Sequence, residues 1–474
     1  MKDIVLIKPR GSVFIKTPPL GIGYLLKALQ RIEGVNPVFI DGQLEELSPG
    51  ALLEAIRGCD PLIVGFQVFS DAYPVLRELV PRVRELFPSA AIIAGGPHPS
   101  GAAEETLREI PALDYVVRGE GEEALAGLAR GLRDGNLETI LAGIPNLVYR
   151  RGEEIVRNRR RTIRVEDYGR PAWEMLRPER YPPVQHGTFH KSTRVVPIIT
   201  SRGCPYPCTY CAGHLVTGKK IRRRAIGDIV DEIEFLRDRY GFEEFIVEDE
   251  NFTYHREHVL GVAAEIRRRG ISCWFSFPNG IRIERIDEEI IRALKEMGTY
   301  MVTVGLESGS ERTLRAMKKN LDLAEAREKI RILKRYRIIV NGAFILGFSG
   351  ETMEDIRATI RFALDSGVDT AYFGNYLPLP GSEDYNLLVE KGEIDPETID
   401  WSSYTAYYGR IPYHPEGISR KELRRAVKTA TYRFYLRPRI LRGLLKRMTH
   451  PVFLRNLASR ISSVFLPPKN DRGT

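Results

Sequence analysis

Over residues 1–140, short unbroken apolar runs take turns with stretches that carry an apolar residue every third or fourth position. A short unbroken run bounded by turn residues reads as a strand buried on both faces, and the wider spacing reads as an amphipathic helix. Ile4–Ile7, Val38–Ile40, Leu62–Phe66, Ala91–Ala94 and Tyr115–Val117 are the predicted strands. Gly21–Ile32 is a predicted helix with Pro18-Pro19 before it. Val75–Phe87 is another, with apolar residues at 75, 76, 79, 80, 83 and 86, and a third starts at Glu122. Such alternation predicts an α/β unit with a doubly wound parallel sheet. Ligands of these sheets lie beyond the carboxyl ends of the strands. Those ends are Pro9–Pro19, Asp41–Gln43, Gln67–Tyr73, Gly95–Ser100 and Arg118–Gly121.

Residues 141–190 lack the alternation and are rich in Arg and Pro, which predicts a linker. Residues 191–395 resume it, with strands at Val195–Thr200, Glu244–Val247, Ser272–Phe277, Tyr300–Val304, Ile338–Leu346 and Thr370–Tyr376. Six βα units predict a partial barrel of the TIM type, with its site at the carboxyl ends of the strands. Ala225–Tyr240 is an amphipathic helix, with Ile226, Ile229, Val230, Ile233 and Leu236 on one face. Residues 396–474 predict a helical, basic C-terminal region. Within it, Tyr432–Leu466 interleaves apolar residues at helical spacing with arginines and lysines, and Pro438 and Pro451 interrupt it.

The chain has 474 residues, 43% of them hydrophobic, enough for several packed cores. Its net charge of +9 is concentrated in clusters at 157–164, 219–224 and 433–460. A uniform basic stripe is absent, so no nucleic-acid partner is expected. The opening Met-Lys-Asp-Ile-Val-Leu-Ile is a strand carrying an acid, not a secretory signal. No run approaches the ~18 apolar residues of a membrane-spanning helix. Cys59 and Cys273 lie in apolar surroundings and read as buried thiols in a reducing, cytoplasmic compartment.

The other three cysteines carry the chemistry. Cys204, Cys208 and Cys211 form C-x3-C-x2-C within Ser201-Arg-Gly-Cys-Pro-Tyr-Pro-Cys-Thr-Tyr-Cys211. Three thiolates this close suit three corners of a [4Fe–4S] cube, and no fourth cysteine lies nearby. The fourth iron is then open to a small molecule. The alternative is a Cys3His zinc site completed by His214. The position after a barrel strand favours catalysis, and the glycine and prolines around the cysteines let backbone approach a cofactor.

The spacing resembles that of the radical S-adenosylmethionine (SAM) enzymes. The resemblance continues through Ile246-Val-Glu-Asp-Glu-Asn-Phe-Thr253, Val304-Gly-Leu-Glu-Ser-Gly-Ser310, Ala343-Phe-Ile-Leu-Gly-Phe-Ser-Gly-Glu-Thr352 and Leu377-Pro-Leu-Pro-Gly-Ser382, in the family's order. It implies a deoxyadenosyl radical made by one-electron cleavage of SAM. It also implies a SAM site in which Asp249 and Glu250 hold the methionine ammonium. Glu307 meets the ribose hydroxyls, with Ser308 and Asn279 beside it; Tyr210 contacts adenine and Arg282 pairs with the carboxylate. An external electron donor such as flavodoxin or ferredoxin is implied as well.

The flavodoxin-like sheet ahead of the barrel resembles the cobalamin-binding domain of the cobalamin-dependent class. The matching segments contain Pro19 and Gly21, Gly95 and Gly96, and Gly119 and Gly121. A D-x-H-x-x-G fingerprint is absent, so the first strand end offers no histidine to cobalt. The resemblance implies domains at 1–140 and 191–395, and methyl transfer from methylcobalamin to a substrate radical. Ring formation or rearrangement on a lipid or tetrapyrrole is the alternative, and a non-catalytic zinc or Fe–S protein is the third. The substrate is expected to be a small molecule or a lipid. The basic stretch 432–466 is a candidate for peripheral contact with the inner membrane face.

Overall fold

The computed structural model describes residues 2–12, 16–182, 190–405 and 410–447. These form two compact units. One takes the described residues of Met1–Tyr181, Ser201–Asp228 and Pro378–Tyr404. The other takes those of Pro182–Thr200, Ile229–Leu377 and Thr405–Thr474.

In the first unit a seven-stranded sheet runs in the order β2-β1-β3-β4-β5-β6-β7. Its strands are β1 (Lys2–Lys8), β2 (Val35–Asp41), β3 (Pro61–Gln67), β4 (Ala91–Gly95), β5 (Tyr115–Val117), β6 (Leu147–Arg151) and β7 (Glu154–Arg157). The first five pair in parallel. Ile4, Val5, Ile63, Val64 and Ile92 have no exposed surface, as expected of strands covered on both faces. Helix Leu20–Leu29 packs with Glu122–Arg133, and Pro49–Ile56 packs with Tyr73–Leu86, giving the two helix pairs of a doubly wound sheet. Pro49–Ile56 had no periodic signal, but Ser48 caps it by accepting from Ala51 N at 3.3 Å.

The stretch 141–190 is not all linker. β6 and β7 are an antiparallel hairpin that extends the sheet past β5. Its two-residue turn is Gly152-Glu153, with Gly152 at φ 62°. Leu147, Val148 and Tyr149 are buried, while Arg150 donates to the carbonyls of Leu113 and Ile110 at 2.7 and 3.0 Å. Arg150, Arg151 and Arg157 gave this hairpin the composition of a polar loop.

The chain goes on through β8 (Val195–Ile198), the short pair β9 (Ser201–Arg202) and β10 (Arg222–Arg223), then β11 (Glu244–Val247), β12 (Trp274–Ile281), β13 (Thr299–Glu307), β14 (Ile339–Leu346) and β15 (Thr370–Asn375). In the second unit β15-β14-β13-β12-β11-β8 form a parallel sheet in sequential order. That is the expected partial barrel, and no pairing of β8 with β15 closes it among the described residues. Helix Arg420–Tyr435 packs on β15, where Tyr435 OH donates to Ala371 O at 2.8 Å. Its start is a capping box of Ser419 and Glu422. Pro438 opens the next helix, Pro438–Arg447, where its fixed φ is an asset. Pro451 and the rest of 448–466 lie outside the described residues.

Cys273 is buried as expected, and Cys59 is only half-buried after helix Pro49–Ile56. No described helix is long and apolar enough to cross a membrane.

Candidate cofactor and substrate site

The cysteine loop folds within the first unit. Cys204 N donates to Gly218 O at 3.1 Å and Cys211 N to Cys208 O at 3.2 Å. Gly213 N lies 3.4 Å from Cys211 Sγ, a backbone donor to the third sulfur. Thr209, between two of the cysteines, accepts from Asp384 N at 2.9 Å. Gly203 has φ 103°, and a Cβ there would lie 2.3 Å from Lys220 O, so only glycine fits. Cys204, Cys208 and Tyr210 are half-buried and Cys211 is exposed. All five cysteines are thiols, none in a disulfide.

β9 and β10 flank this loop, and both are fixed by the Gly119-Glu120-Gly121-Glu122 turn after β5. Arg202 donates to Glu120 at 3.0 Å and Glu122 at 2.8 Å, and stacks 4.4 Å from the Tyr24 ring centroid. Arg222 donates to both Glu120 oxygens, at 3.0 and 2.7 Å. Glu120, Glu122 and Arg202 are all at least 93% buried by surface, so these are dry ion pairs. A Cβ on Gly119 would lie 3.1 Å from Val216 O, so the helix after the third cysteine rests directly on this turn. Sequence reasoning singled out the glycines here and missed the glutamates, whose partners lie 80–102 residues away.

In the second unit the expected SAM residues fall at the carboxyl ends of β11, β12 and β13. Asp249 is buried, with both oxygens 2.6 Å from Thr200, one from its N–H and one from its hydroxyl. His258 Nε2 lies 2.9 Å from the same hydroxyl. Asp249 therefore ties the end of β8 to the end of β11. Glu250 beside it is half-buried. Asn279 is exposed and donates to Glu248 O and Oε2, at 2.9 and 2.7 Å. Arg282 is buried and donates to Glu284 at 2.7 Å.

Asn251, two residues after Asp249, was not foreseen. It is 2% exposed, and neither atom of its carboxamide has a hydrogen-bond partner among the described residues. Thr253 Oγ1 is in the same state. Buried amides are almost always satisfied, so an orphan at a strand end is a candidate ligand position.

The turn after β13 is built around Glu307. Its backbone is left-handed, φ 58°, a strained conformation for a side-chain-bearing residue. Lys319 Nζ lies 3.2 Å from Glu307 Oε1. A Cβ on Gly305 would come 2.4 Å from that oxygen, so glycine at 305 makes room for the carboxylate. Ser308, expected beside Glu307 as a ligand contact, is fully buried. Its Oγ is 2.9 Å from Thr359 Oγ1 and accepts from Ser310 N at 3.1 Å, so it holds the turn.

At the carboxyl end of the first sheet, Gly21, Gly96 and Gln67 meet. A Cβ on Gly21 would lie 3.2 Å from Gln67 Nε2, and one on Gly96 2.9 Å from Val68 O. Gly96 has φ 106°. Gln67 Oε1 is buried without a hydrogen-bond partner among the described residues. Pro19 caps the helix that starts at Leu20, Gly95 ends β4 against Val117, and Gly121 faces Leu25. His98 is buried, stacked on Tyr73 and edge-on to Trp401, with Nδ1 3.0 Å from Ser70 Oγ. Burial pushes its imidazole down to about 3. It is a packed core histidine.

Residues 198–363 match the Radical SAM superfamily, and residues 10–129 match the B12 binding domain. The chain is a cobalamin-binding radical SAM enzyme. Its cofactors are a [4Fe–4S] cluster, SAM and cobalamin. This radical SAM enzyme is 28% identical to an uncharacterized methyltransferase of Pyrococcus horikoshii, covering 93% of this chain and 94% of that one. It is 28% identical to the anaerobic magnesium-protoporphyrin IX monomethyl ester cyclase of Cereibacter sphaeroides, over 89% of this chain and 67% of that one. Among solved structures it shares its fold with the radical SAM methyltransferase TsrM of Kitasatospora setae. That similarity has a TM-score of 0.68 at 20% identity, over 82% of this chain and 75% of that one.

The residues of the radical SAM enzyme fit these groups. Among the described residues no three His, Cys, Asp or Glu side chains converge as ligands of one ion must. A cube asks for something else, one thiolate at each of three irons, and the loop supplies three. His214 is held below the ordinary imidazole range by burial, then by Lys219 and Arg160. For cobalamin, the glycines at 21 and 96 with the unsatisfied Gln67 acceptor form a cradle with a polar contact to offer.

Proposed function

We propose that this enzyme transfers a methyl group to an unactivated carbon of a small organic substrate. When bound, the cluster supplies one electron to cleave SAM, and cobalamin supplies a transferable methyl group. Cys204, Cys208 and Cys211 hold three irons. The Asn251 carboxamide, with Glu250 beside it, accepts from the methionine ammonium of SAM. Asp249 acts one step back, positioning that turn through Thr200. Glu307, held in its strained conformation, presents its carboxylate to the ribose hydroxyls, and Lys319 fixes its orientation. Tyr210 lies against adenine, and Arg282 pairs with the SAM carboxylate. Asn279 keeps Glu248 in place. Pro19, Gly21, Gly95, Gly96, Gly119 and Gly121 let backbone close on the corrin's tail, with Gln67 as a polar contact.

The observation that carries the reading is the join within the first unit. The turn after β5 of the cobalamin-type sheet is ion-paired to both strands that flank the cysteine loop. One compact unit thus holds the three cysteines and the strand ends proposed for cobalamin, which suits a reaction that needs cluster and cobalamin at one substrate. Ring formation is the second reading, favoured by the similarity to the cyclase. Methyl transfer is preferred because the match to the methyltransferase runs nearly end to end, whereas a third of the cyclase lies outside the match. Methyl-labelled SAM separates them. Label that enters the corrin fraction, and then a product one carbon heavier, supports methyl transfer. A product with unchanged carbon count and fewer hydrogens sinks it.

The C-terminal helices add a membrane contact to the proposal. Tyr432, Leu436 and Leu441 are exposed beside basic residues. Such a face suits an anionic bilayer surface. Co-sedimentation with anionic vesicles that survives only while Leu436 and Leu441 are apolar supports the contact, and no co-sedimentation removes it.

A further inference from the structure

Two basic segments far apart in sequence, 157–164 and 219–224, meet beside the cysteine loop. Arg160 donates to Leu215 O at 2.6 Å, and Arg222 to Ile163 O at 2.7 Å. A Cβ on Gly218 would touch Thr162 Cγ2 at 2.8 Å. The backbone of the second segment also grips the first cysteine, through Gly218 O on Cys204 N and Lys220 O over Gly203. Arg160, Lys219, Lys220 and Arg223 are exposed, and so is Cys211. Among the described residues no carboxylate forms an ion pair with any of these four cations. The nearby acids are taken: Glu120 by Arg202 and Arg222, Glu123 by Arg161, and Asp167 by Arg164. The cations crowd one another. The Arg118 guanidinium is lowered by burial and then by Arg160.

Like charges gathered with few counter-charges repel one another, and a face of this kind suits a partner of opposite charge. Electron transfer falls steeply with distance, so a protein donor must touch the loop that carries the iron ligands. A positive face around that loop raises the encounter rate of a negatively charged protein and orients it.

We propose that the face formed by Arg160, Lys219, Lys220 and Arg223 is the docking surface for an acidic one-electron carrier protein. The reduced carrier gives one electron to the cluster held by Cys204, Cys208 and Cys211, and leaves one-electron oxidised. The inference rests on the cluster assignment above and adds the place where the electron enters.

The test uses a reduced acidic flavodoxin, with dithionite as a small-molecule control. The protein is the reconstituted full chain and a Lys219→Gln/Lys220→Gln/Arg223→Gln variant. Flavodoxin-driven SAM cleavage is expected to fall about tenfold in the variant, with dithionite-driven cleavage unchanged. Binding of oxidised flavodoxin, followed by calorimetry without turnover, is expected to weaken in step. In the parent, binding and flavodoxin-driven rate both fall as salt screens the face. Salt-insensitive binding in the parent overturns the proposal, and needs no variant. So does a variant that binds flavodoxin as the parent does. Loss of dithionite-driven cleavage in the parent would instead count against the cluster reading itself.

Discussion

Arg222 donates to both carboxylate oxygens of Glu120, at 3.0 and 2.7 Å, across 102 residues of sequence. One residue belongs to the turn after β5 and the other to the strand that closes the cysteine loop. The pair, with Arg202, ties the loop to the turn that follows β5 of the cobalamin-type sheet.

Glu120→Ala leaves Arg202 with Glu122 alone and Arg222 with no carboxylate from this turn. Removing one member of a buried pair typically costs about 3–5 kcal/mol. The apo variant is expected to melt well below the parent, and to take up less iron on anaerobic reconstitution. Glu120→Gln, which keeps the shape, should fall between them. Parent-like melting and iron content in Glu120→Ala would contradict the structural role.

Asn251→Leu separates ligand binding from stability. The parent buries an unsatisfied carboxamide, so an apolar side chain of similar size is expected to raise apo stability by about 1 kcal/mol. The same change removes the contact to SAM, and SAM affinity is expected to drop about tenfold or more. Equilibrium binding to the reconstituted protein, beside urea unfolding of the apo form, reads both. Unchanged SAM affinity would contradict the assignment.

Glu351 gives a pH signature. It accepts from Gly347 N and Phe348 N after β14, and burial pushes its carboxyl up from 4.5 to about 8. Between those values the folded protein keeps a proton that the unfolded chain releases. The stability from this group is complete below pH 4.5 and is lost as pH rises through about 8. Glu351→Gln mimics the neutral acid. Urea unfolding at pH 6 and pH 9 should show the parent losing on the order of a few kcal/mol that the variant keeps. Parallel pH profiles would contradict it.

Much of the scaffold was legible because buried parallel strands announce themselves. Tyr115–Val117 and Glu244–Val247 match the observed strands to the residue. The β6–β7 hairpin was not legible, because Arg150, Arg151 and Arg157 gave it a loop's composition. The cysteines were legible by spacing, a local property. Asp249 and Ser308 stood in the right motifs, and their partners Thr200 and Thr359, which tie them into the fold, are revealed only by packing. Asn251 has the opposite history: its lack of partners is what marks it, and sequence contains no record of that. The glutamates of the turn after β5 look like solvated charges until the chain brings Arg202 and Arg222 to them.

The central claim is a three-cysteine [4Fe–4S] cluster that cleaves SAM. The most direct measurement is 5′-deoxyadenosine by mass spectrometry, after anaerobic reconstitution with iron, sulfide and hydroxocobalamin and addition of SAM and dithionite. The account predicts deoxyadenosine from the parent, none from Cys208→Ala, and corrinoid retained by both. A fully assembled cluster that makes no deoxyadenosine, or a Cys208→Ala variant that makes as much as the parent, would contradict it.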